Sequence, residues 1–117
     1  MELATGTMRP MDALPEIVRE KLEDVRALCE KYNVKRLTIF GSAVKGTFDP
    51  EKSDLDFAVE LFPYADPLSE GRAYLALIDS LEALFARRVD LVSLAEIKNP
   101  YVAAAIRREQ LPLYVAA

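Results

Sequence analysis

The chain has 117 residues, of which 51% are hydrophobic and 29% charged, a composition typical of one folded domain. Cys29 is the single cysteine and histidine is absent, which excludes an internal disulfide, a cysteine-cluster zinc site and catalysis through histidine. The formal net charge of −4 argues against direct binding of nucleic acid. Any chemistry must use carboxylates, lysines, hydroxyl groups or metal ions bound by oxygen.

The first residues have the pattern neither of a signal peptide nor of a membrane span. Met1–Met11 shows no hydrophobic periodicity and is predicted to be a flexible leader, followed by one domain over residues 12–117. The apolar run Val102–Ile106 is far shorter than the roughly 20 residues that a membrane-spanning helix needs. We therefore expect a cytoplasmic protein without membrane contact.

The N-terminal half alternates between helix and strand patterns. Apolar residues at spacings of three and four predict a helix from Pro15 to about Asn33, with Cys29 on its buried face. Val34–Phe40 has the β-branched and aromatic content of a strand. Ser42–Gly46 is predicted to be a turn that opens a short helix, and Thr47–Lys52 a loop.

The C-terminal half continues the alternation. Asp54–Leu61 and Val89–Ser93 are predicted strands, and Leu113–Val115 is a possible terminal strand. Between them, Asp66-Pro67 and Asn99-Pro100 each combine an N-cap residue with a proline suited to the first helical turn. The second of these helices is expected to end near residue 110, with its tyrosine, Tyr101, in the core. The order predicts a single domain of the α/β (α+β) class with a small mixed sheet flanked by helices.

One segment at a strand-to-helix junction is suited to a phosphate group. In Gly41–Gly46 (GSAVKG), the first glycine lets the backbone approach an anion, and Ser42 offers a hydroxyl and an amide. The segment lacks the Gly-Lys-Ser/Thr ending of a Walker loop and is not a dinucleotide fingerprint. Taken alone, it equally fits an ordinary turn.

Two carboxylates share one face of the second predicted strand. The period of two places Asp54 and Asp56 together and Leu55 on the opposite face. Such like charges repel one another unless a cation compensates, and Mg²⁺ prefers carboxylate oxygens. The alternative is a strand end whose carboxylates are simply solvated.

A third carboxylate lies in the next strand. Asp90 stands between Val89 and Leu91, in a strand that is otherwise apolar, where a charged group needs a partner. If this strand neighbours the second one, Asp90 faces the same side as the other two carboxylates. The alternative is an ion pair with Arg87 or Arg88. Three such carboxylates could hold two metal ions for in-line displacement at phosphorus, which favours nucleotidyl transfer with pyrophosphate as the leaving group.

Three segments together resemble a known family: Gly41-Ser42 with Gly46, Ser53–Asp56 and Val89–Val92. The family is the minimal nucleotidyltransferases of the DNA polymerase β superfamily, and the resemblance runs from about Leu14 to Tyr114. It implies the polymerase β-like nucleotidyltransferase fold. Its MntA-like members are often antitoxins of HEPN/MNT (type VII-like) toxin-antitoxin modules, which transfer AMP from ATP to a tyrosine of the HEPN toxin.

The resemblance also implies roles for the carboxylates. Asp54 and Asp56 would bind two Mg²⁺ ions, for which Mn²⁺ could substitute. Asp90 would complete the metal site and help to deprotonate the acceptor hydroxyl.

For the nucleotide, the resemblance implies that Gly41 and Ser42 hold the β- and γ-phosphates of ATP, with Ser53 also in the nucleotide site. The family commonly has a basic residue directly after the glycine-serine pair. Here that residue is Ala43, so Lys45 is expected to contact phosphate instead.

Two further interpretations remain open at this point. The chain could be an antitoxin that neutralises by binding alone, or a transferase for a small molecule of the antibiotic type. The first predicts that neutralisation survives loss of the carboxylates, and the second predicts an acceptor pocket within the chain. Homo- or hetero-oligomers are compatible with all three interpretations.

Overall fold

A four-stranded mixed sheet forms the centre of the fold in the computed structural model, which describes residues 14–117. Its strands are β1 (Val34–Phe40), β2 (Leu55–Leu61), β3 (Val89–Ser93) and β4 (Leu111–Val115). They lie in the order β3-β2-β1-β4; β1 is antiparallel to both β2 and β4, whereas β2 and β3 are parallel. The prediction of a small mixed sheet is confirmed. The predicted leader Met1–Met11 lies outside the described residues.

Five α-helices and one short 3₁₀ helix surround the sheet within the described part of the chain. They are α1 (Glu16–Arg19), α2 (Leu22–Lys31), α3 (Ser42–Lys45), α4 (Pro67–Phe85), the 3₁₀ helix Leu94–Glu96 and α5 (Pro100–Glu109). Both predicted caps are present: Asp66 accepts a hydrogen bond from the N–H of Ser69 at 2.8 Å, and Asn99 accepts one from that of Tyr101 at 2.9 Å.

The first predicted helix is in fact two helices. The chain leaves helical geometry at Lys21, whose φ is −113° and whose N–H donates to the carbonyl of Val18, three residues back. Apolar residues stay in phase across this break, because Val18, Val25 and Cys29 are all fully buried. Asn33, with φ of 59°, reverses the chain after α2 and leads into β1.

The hydrophobic core lies on one face of the sheet. α2 and α4 cover that face and contribute Val25, Leu77 and Leu81 to it, each fully buried. The strands contribute alternate residues to this core, such as Ile39 and Phe57. The main apolar cluster therefore packs against the sheet from one side.

The second face of the sheet is more polar. Thr38 and Ala58 are buried there, and a cavity of about 320 Å³ extends over them to Arg107 on α5. Tyr101 was expected in the core but is 84% exposed, because it occupies the outward side of the first turn of α5. No helix among residues 14–117 is long and apolar enough to span a membrane.

Candidate active site

The strand order brings two of the predicted carboxylates together. β3 neighbours β2, and Asp56 of β2 is the register partner of Asp90 of β3. Both residues therefore project from the second face of the sheet, whereas Leu55 and Phe57 are fully buried on the first. The conditional prediction that Asp90 joins the other carboxylates depended on this neighbour relation, and the relation is present.

Asp56 is the electrostatic centre of this group. Burial, then the hydrogen bond to Asp90 and its charge, raise the pKa of the Asp56 carboxyl to about 6, with smaller contributions from the charges of Asp54 and Glu109. A carboxyl group whose ionisation is opposed by its neighbours is a candidate for a cation or for proton transfer.

The phosphate-suited turn packs directly on this carboxylate. Gly41 has φ of 77° and ψ of −150°, and a Cβ at this position would overlap Oδ2 of Asp56 and lie 3.1 Å from its Cγ. Only glycine tolerates both the conformation and the approach. The strand-to-helix turn and the carboxylate pair thus form one site.

The rest of the turn is arranged around α3. The N–H groups of Val44 and Lys45 both donate to the carbonyl oxygen of Gly41, at 3.0 Å each. Ala43 is 2% exposed, so a long basic side chain at this position would have to enter the core. Lys45 is exposed and forms an ion pair with Glu109 at 3.4 Å.

Ser53 and Arg87 stabilise the loop before β2. The Ser53 hydroxyl accepts a hydrogen bond from the N–H of Asp49 at 2.9 Å and keeps its own proton to donate. Arg87 donates to the carbonyl oxygen of Ser53 at 3.2 Å and lies over the ring of Phe48. Arg87 is thus engaged with this loop, and within residues 14–117 Asp90 forms no ion pair with Arg87 or Arg88, the alternative partners considered for it.

The donor set suits a hard divalent cation, although the side chains do not already form a complete metal cage. Among residues 14–117, no three His, Cys, Asp or Glu side chains converge on a point that could hold a metal ion. Asp56 and Asp90 do meet, the charge of Asp54 also acts on Asp56, and the mutual repulsion of these carboxylates is what a cation relieves. The fit therefore rests on the paired carboxylates and their chemistry.

Glu109 also belongs to this site and escaped the sequence analysis. Its Oε1 accepts a hydrogen bond from the N–H of Gly41 at 2.6 Å, across 68 residues of sequence. Nothing in the local sequence distinguishes it, because it follows Arg107-Arg108 at the end of an amphipathic helix. Only the tertiary fold reveals its contact.

Comparisons with known proteins identify the family. A family described as the nucleotidyltransferase domain matches residues 19–111. A relative from Methanocaldococcus jannaschii, provisionally named a protein adenylyltransferase, is 36% identical over 103 residues, which make up 87% of this chain and 96% of the relative.

Two solved structures share the fold. One, provisionally named a minimal nucleotidyltransferase, is 34% identical with a TM-score of 0.63, over 83% of this chain and 93% of that chain. The other is a tri-AMPylated HEPN toxin of Shewanella oneidensis in complex with its MNT antitoxin, 19% identical with a TM-score of 0.58, over 84% of this chain and 72% of that one. Because the family match spans most of the chain and the archaeal relative aligns almost throughout its own length, this chain belongs to the nucleotidyltransferase domain family and is a nucleotidyltransferase.

Proposed function

We propose that this protein transfers AMP from ATP to a hydroxyl group of a partner protein, a tyrosine of a HEPN-type toxin, and thereby acts as its antitoxin in the cytoplasm. The observation that carries the proposal is the contact of Gly41 with Asp56, which places a phosphate-suited turn directly on the carboxylate pair. The name of the archaeal relative and the HEPN complex among the structural neighbours support the class of acceptor.

The nucleotide site in this proposal consists of Gly41, Ser42, Lys45 and Ser53. Lys45 is exposed and α3 begins at Ser42, which supports a role for the Lys45 ammonium group and for Ser42 in binding the β- and γ-phosphates of ATP. The domain proposed to carry the activity spans residues 12–117. Its negative net charge favours a protein over a nucleic acid as the acceptor.

The carboxylates supply the metal site in this proposal. Asp54, Asp56 and Asp90 would hold two Mg²⁺ ions, and oxygen ligands accept Mn²⁺ as well. Bound there, the ions would neutralise charge on the attacking and leaving oxygens of an in-line displacement.

The reaction is a substitution at the α-phosphorus of ATP. The acceptor oxygen bonds to this phosphorus, the bond to the bridging oxygen of the β-phosphate breaks, and pyrophosphate leaves. Asp90 is the more exposed of the paired carboxylates, and in this proposal it would take the proton of the acceptor hydroxyl. Most of the rate enhancement is expected from positioning and charge neutralisation.

Intact-mass spectrometry of the partner tests this proposal. The protein that co-purifies with this chain is incubated with ATP and Mg²⁺, in the presence of the wild type or of the Asp54→Ala/Asp56→Ala variant. We expect AMP increments on the partner with the wild type only, and loss of toxin neutralisation in the variant.

The other interpretations predict different results. A stoichiometric partner that gains no mass, together with neutralisation that survives in the variant, contradicts the proposal and indicates an antitoxin that acts by binding. AMP on a small molecule but not on the partner contradicts the proposed acceptor. Circular dichroism of the variant serves as the control for folding.

A further inference from the structure

The side chain of Glu109 reaches from the end of α5 to the turn that begins α3. Its Oε1 accepts the Gly41 N–H at 2.6 Å, and its Oε2 lies 3.4 Å from Nζ of Lys45. The side chain is only 24% exposed, whereas that of Lys45 is 60% exposed. The hydrogen bond to Gly41 is therefore the better defined of the two contacts, since an exposed ion pair contributes little.

Glu109 precedes the first residue of β4, and its carboxylate accepts a backbone hydrogen bond where the pairing of β4 with β1 has already stopped. The register between β1 and β4 stops at the pair Ile39 and Leu111. The Gly41 N–H lies past this point, where no carbonyl of β4 pairs with it. A half-buried N–H needs an acceptor, and the Glu109 carboxylate supplies it.

The next residue makes a second connection to the same strand. The hydroxyl of Thr38, 2% exposed, donates to Oε1 of Gln110 at 2.6 Å. The junction between α5 and β4 is thus attached at two points, to Thr38 within β1 and to Gly41 directly after it. Gly41 consequently lies between the Asp56 carboxylate and the Glu109 carboxylate.

We infer that Glu109 is a positioning residue of the active site. Its carboxylate holds Gly41 against Asp56 and fixes the distance between the turn Gly41–Gly46 and the carboxylate pair. The inference rests on the proposed function and deepens it. Glu109 acts through Gly41 and contacts no reacting atom. In the competing role, Glu109 is a counter-ion for Lys45 that ATP must displace. Removal of Glu109 would then strengthen ATP binding without lowering kcat.

Three substitutions separate these roles. Glu109→Gln keeps an oxygen that can accept the Gly41 hydrogen bond but loses the negative charge. Glu109→Asp keeps the charge but is one methylene shorter, so it no longer reaches Gly41. Glu109→Ala loses both, and Arg108→Ala, an exposed neighbour on the same turn of helix, is the matched control.

The first measurement is the turnover of AMP transfer at saturating ATP, with the affinity for ATP measured in parallel by titration. A misplacement of about 1 Å costs roughly a hundredfold in rate, so we expect Glu109→Ala and Glu109→Asp to lower kcat at least about tenfold. Glu109→Gln is expected within about threefold of the wild type, because the exposed ion pair that it loses is weak. Wild-type kcat in Glu109→Ala overturns the inference, as does tighter ATP binding without loss of kcat, or equal impairment in Glu109→Gln and Glu109→Ala.

The second measurement does not depend on activity. The Gly41 amide is one of four glycine amides in the NMR spectrum, and a 2.6 Å bond to a carboxylate shifts its proton downfield. We expect this resonance to move upfield in Glu109→Ala and Glu109→Asp, and to stay near the wild-type position in Arg108→Ala. An unchanged resonance overturns the inference. If the wild type itself transfers no AMP to the partner, the proposed function fails, while the amide resonance still decides the contact.

Thermal unfolding of each variant guards against loss of the fold. If Glu109→Ala does not fold, the comparison between Glu109→Gln and Glu109→Asp tests the inference instead. The first variant keeps the reach to Gly41 and loses the charge, whereas the second keeps the charge and loses the reach. A lower kcat in Glu109→Asp than in Glu109→Gln supports positioning, and the reverse order overturns it.

Discussion

Neighbouring residues of β2 belong to two faces of the sheet that differ in burial, polarity and purpose. Leu55 and Phe57 are fully buried in the core that α2 and α4 cover, whereas Asp56, between them, lies on the face that carries the candidate site. A shift of one residue in this strand would exchange the two sets. The residues of β2 that stabilise the fold thus alternate with those of the candidate site. The face on which a residue lies predicts whether its substitution affects stability or activity.

Each face also holds a group whose pKa is raised, and burial is the largest cause for both, the Cys29 thiol on the core face and the Asp56 carboxyl on the site face. At Cys29 the charge of Glu30 adds to burial, whereas at Asp56 a hydrogen bond to a second carboxyl group, Asp90, and the charges of several carboxylates add to it. A bound cation can relieve the repulsion between carboxylates at Asp56, whereas nothing in the apolar core can relieve the burial of the Cys29 thiol.

The largest effect is expected from the core face of β2. Phe57 is fully buried and its ring centroid lies 6.0 Å from that of Phe85. Phe57→Ala should lower the free energy of unfolding by about 3–5 kcal/mol, measured by urea denaturation. Glu60→Ala, at an exposed position on the other face of the same strand, should change it by less than about 0.5 kcal/mol. Similar losses in both variants would contradict the division between the faces.

The second prediction compares two glycines of one turn. Gly41 and Gly46 both have positive φ, 77° and 81°, but only Gly41 has a neighbour within reach of a Cβ. Gly46→Ala should cost about 1 kcal/mol of stability from backbone strain alone, and Gly41→Ala about 2 kcal/mol or more because its methyl group also displaces Asp56. AMP transfer should fail in Gly41→Ala and persist in Gly46→Ala. Equal activities would show that the contact between Gly41 and Asp56 has no part in the reaction.

Sequence reasoning succeeded where the signal was local. The caps Asp66 and Asn99, the strand Val34–Phe40 and the parity of residues in β2 each depend on a few consecutive residues, and the structure confirms them. The position of Cys29 in the core followed from helical spacing alone. Such features need no knowledge of the rest of the fold.

The misses all depend on tertiary placement. The break between α1 and α2 keeps apolar residues in phase, so the spacing could not reveal it. Tyr101 was assigned to the core by residue type, but the helix turns it outward. The role of Glu109 depends on a contact with Gly41 across 68 residues, which periodicity and motif spacing do not encode.

The third prediction concerns the pH dependence contributed by the core face. Burial, with a smaller effect of Glu30, raises the pKa of the Cys29 thiol to about 12. The unfolded thiol ionises at about 8.5, so this stabilising contribution is complete below that pH and is lost as the pH rises toward 12. At pH 9.5 the wild type should have lost about 1.4 kcal/mol relative to neutral pH, a loss that Cys29→Ala lacks. Parallel urea-unfolding profiles for the two proteins between pH 7.5 and 9.5 would contradict it.

The smallest expected effect concerns the Asp56 carboxyl on the site face. At neutral pH this group lowers the stability of the fold, whereas the buried Cys29 thiol raises it. The pKa of Asp56 is raised to about 6, above the value of about 3.9 for an unfolded chain, so the folded state binds this proton more tightly. The corresponding stability is present below about pH 3.9 and is lost as the pH rises through 6. Asp56→Asn removes the charge and should stabilise the metal-free protein at pH 7 by about 1 kcal/mol, a value reduced by solvent screening at this partly exposed site.

Unfolding at pH 4 and pH 7, with and without Mg²⁺, measures this effect. The advantage of Asp56→Asn should vanish at pH 4, where the wild-type carboxyl is also largely protonated in the folded state. Millimolar Mg²⁺ should raise the unfolding temperature of the wild type and leave the variant almost unchanged, because the repulsion that the cation relieves is absent there. A variant less stable than the wild type at pH 7 without Mg²⁺ would mean that the Asp56 carboxylate stabilises the fold, and the contrast between a core face that supplies stability and a site face that costs it would fail.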